Sequence, residues 1–161
     1  VYERFKKRFY KLTESAGKKQ FLVPYLMSSH PGSTVNDAIE LSLFLKKEGL
    51  HPEQVQDFYP TPGTISTCMF YTGLNPMNMQ KVYVPRTPEE KAQQRALLQY
   101  YKPENRQIVM SALKKAGRTD LIGYGKNCLI TPDRTTQNAN GANRPAKKKK
   151  TIRNIHKPKR K

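Results

Sequence analysis

Cysteine is scarce in this sequence: Cys68 and Cys128, 60 positions apart, are the only two among 161 residues. That spacing builds no disulfide framework, and reduced thiols in a cytoplasmic protein are the simplest reading. Long apolar runs are missing too. None approaches the roughly 18 residues of a membrane span, so no membrane partner is expected. Val1 to Arg8 are charged and lack the apolar stretch of a secretion signal. The chain opens on Val1 where a complete reading frame would open on Met, as a fragment would. Apolar residues reach 36%, below the usual share of a globular domain. The shortfall lies in the last thirty residues, so the first 130 read as more ordinary.

Acidic residues are few: 12 Asp plus Glu stand against 30 Lys plus Arg. Ten of the basic residues fall between Arg144 and Lys161, where there is no acid. The 20 basic and 12 acidic residues before Arg144 leave a net charge of +8 there. A block of like charge repels itself and is expected to be disordered, and it attracts polyanions by counterion release. Residues 144–161 read equally well as a nucleic-acid arm and as a solubilising end. His156 is the one ring in the block that can stack on a base.

What is present alternates between helix and strand patterns. Tyr2, Phe5, Phe9 and Leu12 recur at helical spacing among Arg and Lys, which predicts an amphipathic helix ending near Gly17. Phe21 to Met27 reads as a buried parallel strand, with Pro24 as an objection, because proline donates no ladder hydrogen bond. Ser28 to Ser33 reads as a loop. Thr34 then caps a helix with Asp37 three residues on. Ala38, Leu41 and Leu45 form its inward stripe, flanked by Ile39 and Phe44, and Gly49 stops it. Val55 to Tyr59 is the next strand and Pro60 to Thr64 the next turn. This order implies parallel strands.

Ile65 to Tyr71 reads as either helix or strand, and Asn75 to Arg86 as irregular. Thr87-Pro-Glu-Glu90 is a strong helix start. That helix is expected to reach about Tyr101, burying Ala92, Ala96, Leu97 and Tyr100. A further helix carries Ile108, Val109, Ala112, Leu113 and Ala116 to Gly117, and Thr119 to Ile122 adds a short turn. The fold class is α/β. It consists of βα units over residues 1–74, a small helical region over 75–132 and a disordered basic tail over 133–161.

In parallel α/β folds, ligands sit at the C-terminal ends of the strands. Two turns occupy that edge. His30-Pro31-Gly32 precedes a helix N-terminus, where free N–H groups favour anions, and Pro60-Thr-Pro-Gly-Thr64 follows the next strand. Either Pro-Gly pair, taken alone, makes a turn that needs no ligand to explain it. His30 has no Cys or acid at ligand spacing, so it makes neither a triad nor a metal centre. His51 and His156 read as surface residues. Cys68 reads as a small buried filler, and Cys128 suggests no function.

Three segments together resemble the YgiQ-type radical SAM family. They are Gln-Phe-Leu-Val-Pro-Tyr-Leu-Met-Ser-Ser-His-Pro-Gly-Ser-Thr over 20–34, Val-Gln-Asp-Phe-Tyr-Pro-Thr-Pro-Gly-Thr over 55–64, and Arg-Thr-Asp-Leu-Ile-Gly-Tyr-Gly-Lys over 118–126, followed by Leu-Ile-Thr-Pro over 129–132. The resemblance covers roughly residues 1–132. It implies the closing βα units of a partial (β/α) barrel that binds a 4Fe-4S cluster and S-adenosylmethionine, then the family's C-terminal domain of unknown function from about Lys81. It also implies that His30, Pro31, Gly32 and Thr34, with Pro62, Gly63 and Thr64, line the cofactor or substrate mouth. The family's Cys-x3-Cys-x2-Cys loop is absent, and a thiolate-bound cluster needs its ligands. The resemblance therefore makes this chain a C-terminal piece that is not catalytic alone and binds neither cofactor by itself. Its partner would be the rest of its own barrel upstream. The substrate is left open. The alternative function is a basic RNA-binding protein.

Overall fold

The computed structural model describes residues 1–132. The expected basic tail over 133–161 lies outside the described residues. Within them the element order is α1 (Tyr2–Ser15), β1 (Leu26–Ser28), α2 (Val35–Glu48), β2 (Val55–Asp57), α3 (Ile65–Thr72), α4 (Pro88–Leu98) and α5 (Arg106–Lys115). Short 3-10 turns stand at Pro103–Asn105 and Thr119–Leu121. The strands pair in parallel, Leu26 beside Val55 and Ser28 beside Asp57. The α/β class holds.

Local chemistry explains the helices. The Thr34 hydroxyl accepts from the Asp37 N–H while the Asp37 carboxylate accepts from the Thr34 N–H, a reciprocal cap of α2. Thr87 and Glu90 repeat the device on α4, with Pro88 in the first turn. Each satisfies helix-end N–H groups that water would otherwise have to meet. Both carboxyls are held below their usual range by these bonds, Asp37 through Thr34 and Glu90 through Tyr83 and then Thr87. Gly49 ends α2 in the left-handed region at φ 66°, where a Cβ is disfavoured.

The strands are shorter than their apolar runs. The Phe21–Met27 run yields a strand only at Leu26–Ser28, because Pro24 has no N–H to give a ladder. The 55–59 strand likewise stops at Asp57. The ambiguous segment at Ile65 is a helix, and α3 buries none of its residues. Cys68 on it is exposed, which corrects the expectation of a buried filler.

One core joins α2, α4, α5 and the segment to Ile130. Ala38 and Ile39 meet Ala96, Leu97, Tyr100, Val109, Leu113, Leu121 and Ile130 there. It therefore draws on residues on both sides of residue 74. Burial departs from the expected stripes at three places. Ser42 is fully buried where Leu41 is only partly so. Ala92 is half-buried while Gln93 and Gln94 are inside. Met110 is buried and Ile108 is 37% exposed. The Ser42 hydroxyl donates to the Ala38 and Leu97 carbonyls at 2.6 and 2.8 Å. Its small volume and satisfied hydroxyl let α2 and α4 approach closely.

Candidate functional site

Because β1 and β2 are parallel, the loops leaving them emerge at one edge. The strand ends are tied first. The Ser28 hydroxyl donates to Asp57 Oδ1 at 2.5 Å, and Arg95 of α4 pairs with Asp57 Oδ2 at 2.6 Å. With the Asp57 side chain 33% exposed, screening makes this pair worth little to stability. It fixes where the carboxylate points.

The next residue, Ser29, sits at φ 61°, a left-handed conformation uncommon for a residue with a Cβ. It is 1% exposed, and its hydroxyl has no hydrogen-bond partner among the described residues. A strained residue with an orphan buried hydroxyl at a strand end is the kind of outlier found at ligand sites.

His30 joins the two loops. Its Nδ1 stands 2.8 Å from the Pro31 carbonyl, which can only accept, so this contact puts the proton on Nδ1. In the neutral ring Nε2 then accepts from the Ser66 hydroxyl of α3 at 2.9 Å. Phe58, just after β2, meets the His30 ring edge-on at 5.1 Å. Phe58 in turn lies 5.7 Å from Phe70, which Arg86 and Lys91 approach to within 5.8 and 5.6 Å. The edge thus offers an imidazole, a hydroxyl, aromatic faces and nearby cations.

The other expected site residues divide. Pro31 is buried. Gly32, at φ 93°, donates its N–H to the Tyr83 carbonyl at 2.7 Å. Thr34 and Thr64 spend their hydroxyls on helix caps, Thr64 accepting from the Thr67 N–H and donating to the Thr61 carbonyl. Pro62 and Gly63 are exposed at the tip of the second turn, Gly63 at φ 79°. Ser29, Asp57, Phe58, Ser66, Gln94 and Arg95 escaped the motif reading. Ser29, Asp57 and Phe58 had a signal, since they lie inside the quoted 20–34 and 55–64 segments.

Tyr83 beside the first loop donates to Glu90 at 2.7 Å. Burial, followed by that carboxylate, pushes its phenol up to about 12, so it remains a donor at neutral pH. A cavity of about 1000 Å³ lies elsewhere. Val23, Tyr25, His51, Glu53 and Lys102 line it at the opposite, N-terminal ends of the strands. Val23 and Tyr25 are 86% and 74% exposed, so it is an uncovered edge of the strand layer. Among the described residues no three His, Cys, Asp or Glu side chains are grouped to hold a metal ion. None of the described helices is long and apolar enough to cross a membrane.

Residues 53–160 match the family model described as Domain of unknown function (DUF3362). The chain belongs to this family. The DUF3362 match opens just before β2, so it takes in the second loop and all of α4. Over 130 residues the chain is 61% identical to a UPF0313 protein of Clostridium perfringens strain 13 and 58% identical to one of Clostridium botulinum strain 657. In both cases that is 81% of this chain and 20% of the relative, so the chain spans about a fifth of the length of these curated relatives. Over that stretch the chain is similar to UPF0313 proteins. No solved structure matches it.

Proposed function

We propose that this DUF3362 chain is the C-terminal portion of a radical SAM enzyme of the YgiQ type, and that its two strand-end loops line the mouth where S-adenosylmethionine or the substrate binds. The carrying observation is the meeting of the loops at His30, beside the orphan hydroxyl of Ser29. Ligands of parallel α/β folds bind at that edge. A polar ligand there would give Ser29 the partner it lacks, and the His30 ring with Phe58 would form a wall.

The residues present do not fit the iron–sulfur cluster. Cys68 and Cys128 are too few for a three-thiolate loop and lie on separate elements. In this reading the cluster ligands belong to the portion of the relatives that this chain does not span. On the same reading this chain supplies binding surface rather than cluster ligands.

The test uses the full-length Clostridium perfringens relative, purified without oxygen. About four irons and matching sulfide per chain, with reductive cleavage of S-adenosylmethionine, would support the reading. A protein without cluster or cleavage would end it.

A second reading, nucleic-acid binding, has one folded observation in its favour. Arg4, Lys7, Arg8 and Lys11 are exposed on α1 at the i, i+3, i+4, i+7 spacing of a single helix face, opposite Tyr2, Phe5 and Phe9. Residues 144–161 add ten cations. Phosphate binding by this face predicts RNA affinity that falls steeply with salt, and a shallower salt slope once the four are changed to Gln. Salt-insensitive binding, or none, would remove this reading.

A further inference from the structure

We infer that Gln94 of α4 is a positioning residue that sets the shape of the Ser29–Ser33 loop. Gln94 is 1% exposed. Its Oε1 accepts the Ser29 N–H at 2.9 Å, and its Nε2 donates to the Ser33 carbonyl at 2.8 Å. One amide thus closes both ends of the loop. Only one orientation of that amide serves both bonds, because one partner is a donor and the other an acceptor.

The loop needs such a tie. Ser29 is held at φ 61° and Gly32 at φ 93°, away from the ordinary basins. Left to itself, a five-residue loop of this kind would sample other conformations. Gln94 holds the Ser29 peptide, and the Tyr83 carbonyl holds the Gly32 N–H at 2.7 Å. His30 lies between these two ties, so its ring is aimed at Ser66 and Phe58 by backbone that α4 and the irregular stretch before it determine. Arg95, the next residue on α4, orients Asp57 at the end of β2.

Both Gln94 and Arg95 fall within the DUF3362 match. The inference therefore gives that domain a task. It braces from behind the loops that face a ligand, without contributing a catalytic group. Its relevance to a ligand rests on the proposed function above. The brace itself is a property of the loop without ligand.

The neighbouring Gln93 is an internal control. It is also buried, at 5% exposure, yet among the described residues its amide bonds to Glu89 of its own helix, at 3.1 Å, and to no residue of the loop. Gln94→Met keeps length and volume but removes both bonds, and Gln93→Met removes a buried amide without touching the loop. Gln94→Glu keeps the acceptor for Ser29 and restores one tie.

The experiment is residue-resolved amide exchange on this chain, with the His30 ring resonances followed in parallel. Gln94→Met should speed exchange at Ser29 by about tenfold while α5 amides hold their rates, as loss of one buried hydrogen bond implies. The His30 ring signals should move toward those of a free imidazole. Gln94→Glu should recover part of both effects, and Gln93→Met should leave both at wild-type values. An unchanged Ser29 rate in Gln94→Met would overturn the proposal. So would equal loosening of the loop and α5, which would make Gln94 a general core residue. Because no ligand enters the readout, this result is independent of the cluster and cleavage test.

Discussion

The two sides of the molecule differ in what they bury. The helical side, α2 with α4, α5 and the turn to Ile130, holds the hydrophobic core of the described residues, from Ala38 to Ile130. The strand side, α1 with β1, β2 and α3, holds none of it. It shows Phe21, Val23, Tyr25 and Tyr59 at 74% exposure or more. A parallel strand normally has both faces covered, and here a two-stranded parallel sheet has a partner layer on one. The helical side thus has a core of its own, whereas the strand side is shaped like part of a larger layer. The edge where the two strand-end loops meet lies on the strand side but is tied to the helical side through Gln94 and Arg95.

This contrast orders the mutational effects. Leu97→Ala or Leu113→Ala, both fully buried, should cost about 2–5 kcal/mol in denaturant unfolding. Val23→Ala on the strand side should change stability by less than about 0.5 kcal/mol. A large loss at Val23 would show that the strand side carries its own core.

Thr87→Ala should cost about 1 kcal/mol by removing the cap of α4. The effect should depend on pH. The Glu90 carboxyl is held low by Tyr83 and then Thr87. Its contribution is present above the ordinary carboxyl pKa of about 4.3 and is lost as pH falls through the lower folded value. The stability gap between wild type and Thr87→Ala should narrow on acidification below that range. A gap that widens would contradict the cap.

The effect of Asp57→Asn should also be small. Arg95–Asp57 is a partly exposed pair at 2.6 Å, and such pairs contribute about 0–1 kcal/mol. A loss well beyond that would mean that the strand end matters to the whole fold.

The sequence made the helices legible because their signals are local. The two capping boxes, Gly49 and Gly117 mark ends by chemistry within four residues. The strands were legible as apolar runs, and Pro24 already stood as the objection to the full length of the first, but nothing local marks the end of the second at Asp57. Burial was harder to read. Nothing in the pattern marks Ser42, Gln93 or Gln94 as interior, because each is tolerated inside only through partners that folding brings close, and for Gln94 those are 61 and 65 positions away. The motifs drew attention to His30 and to the turn at Thr64. That His30 would reach Ser66 depended on α3 being a helix, which its short apolar run left undecided. Cys68 went wrong because α3 buries none of its residues.

Hydrogen exchange across the two sides tests the account most directly. It should be run on this chain and on the full-length Clostridium perfringens relative. The account predicts that 1–72 exchanges faster than 88–116 in this chain, and that the corresponding strand segments become strongly protected in the full-length protein while the helical side changes little. Equal protection of both sides in this chain would show that the strand layer is self-sufficient and would contradict the reading of it as part of a larger one.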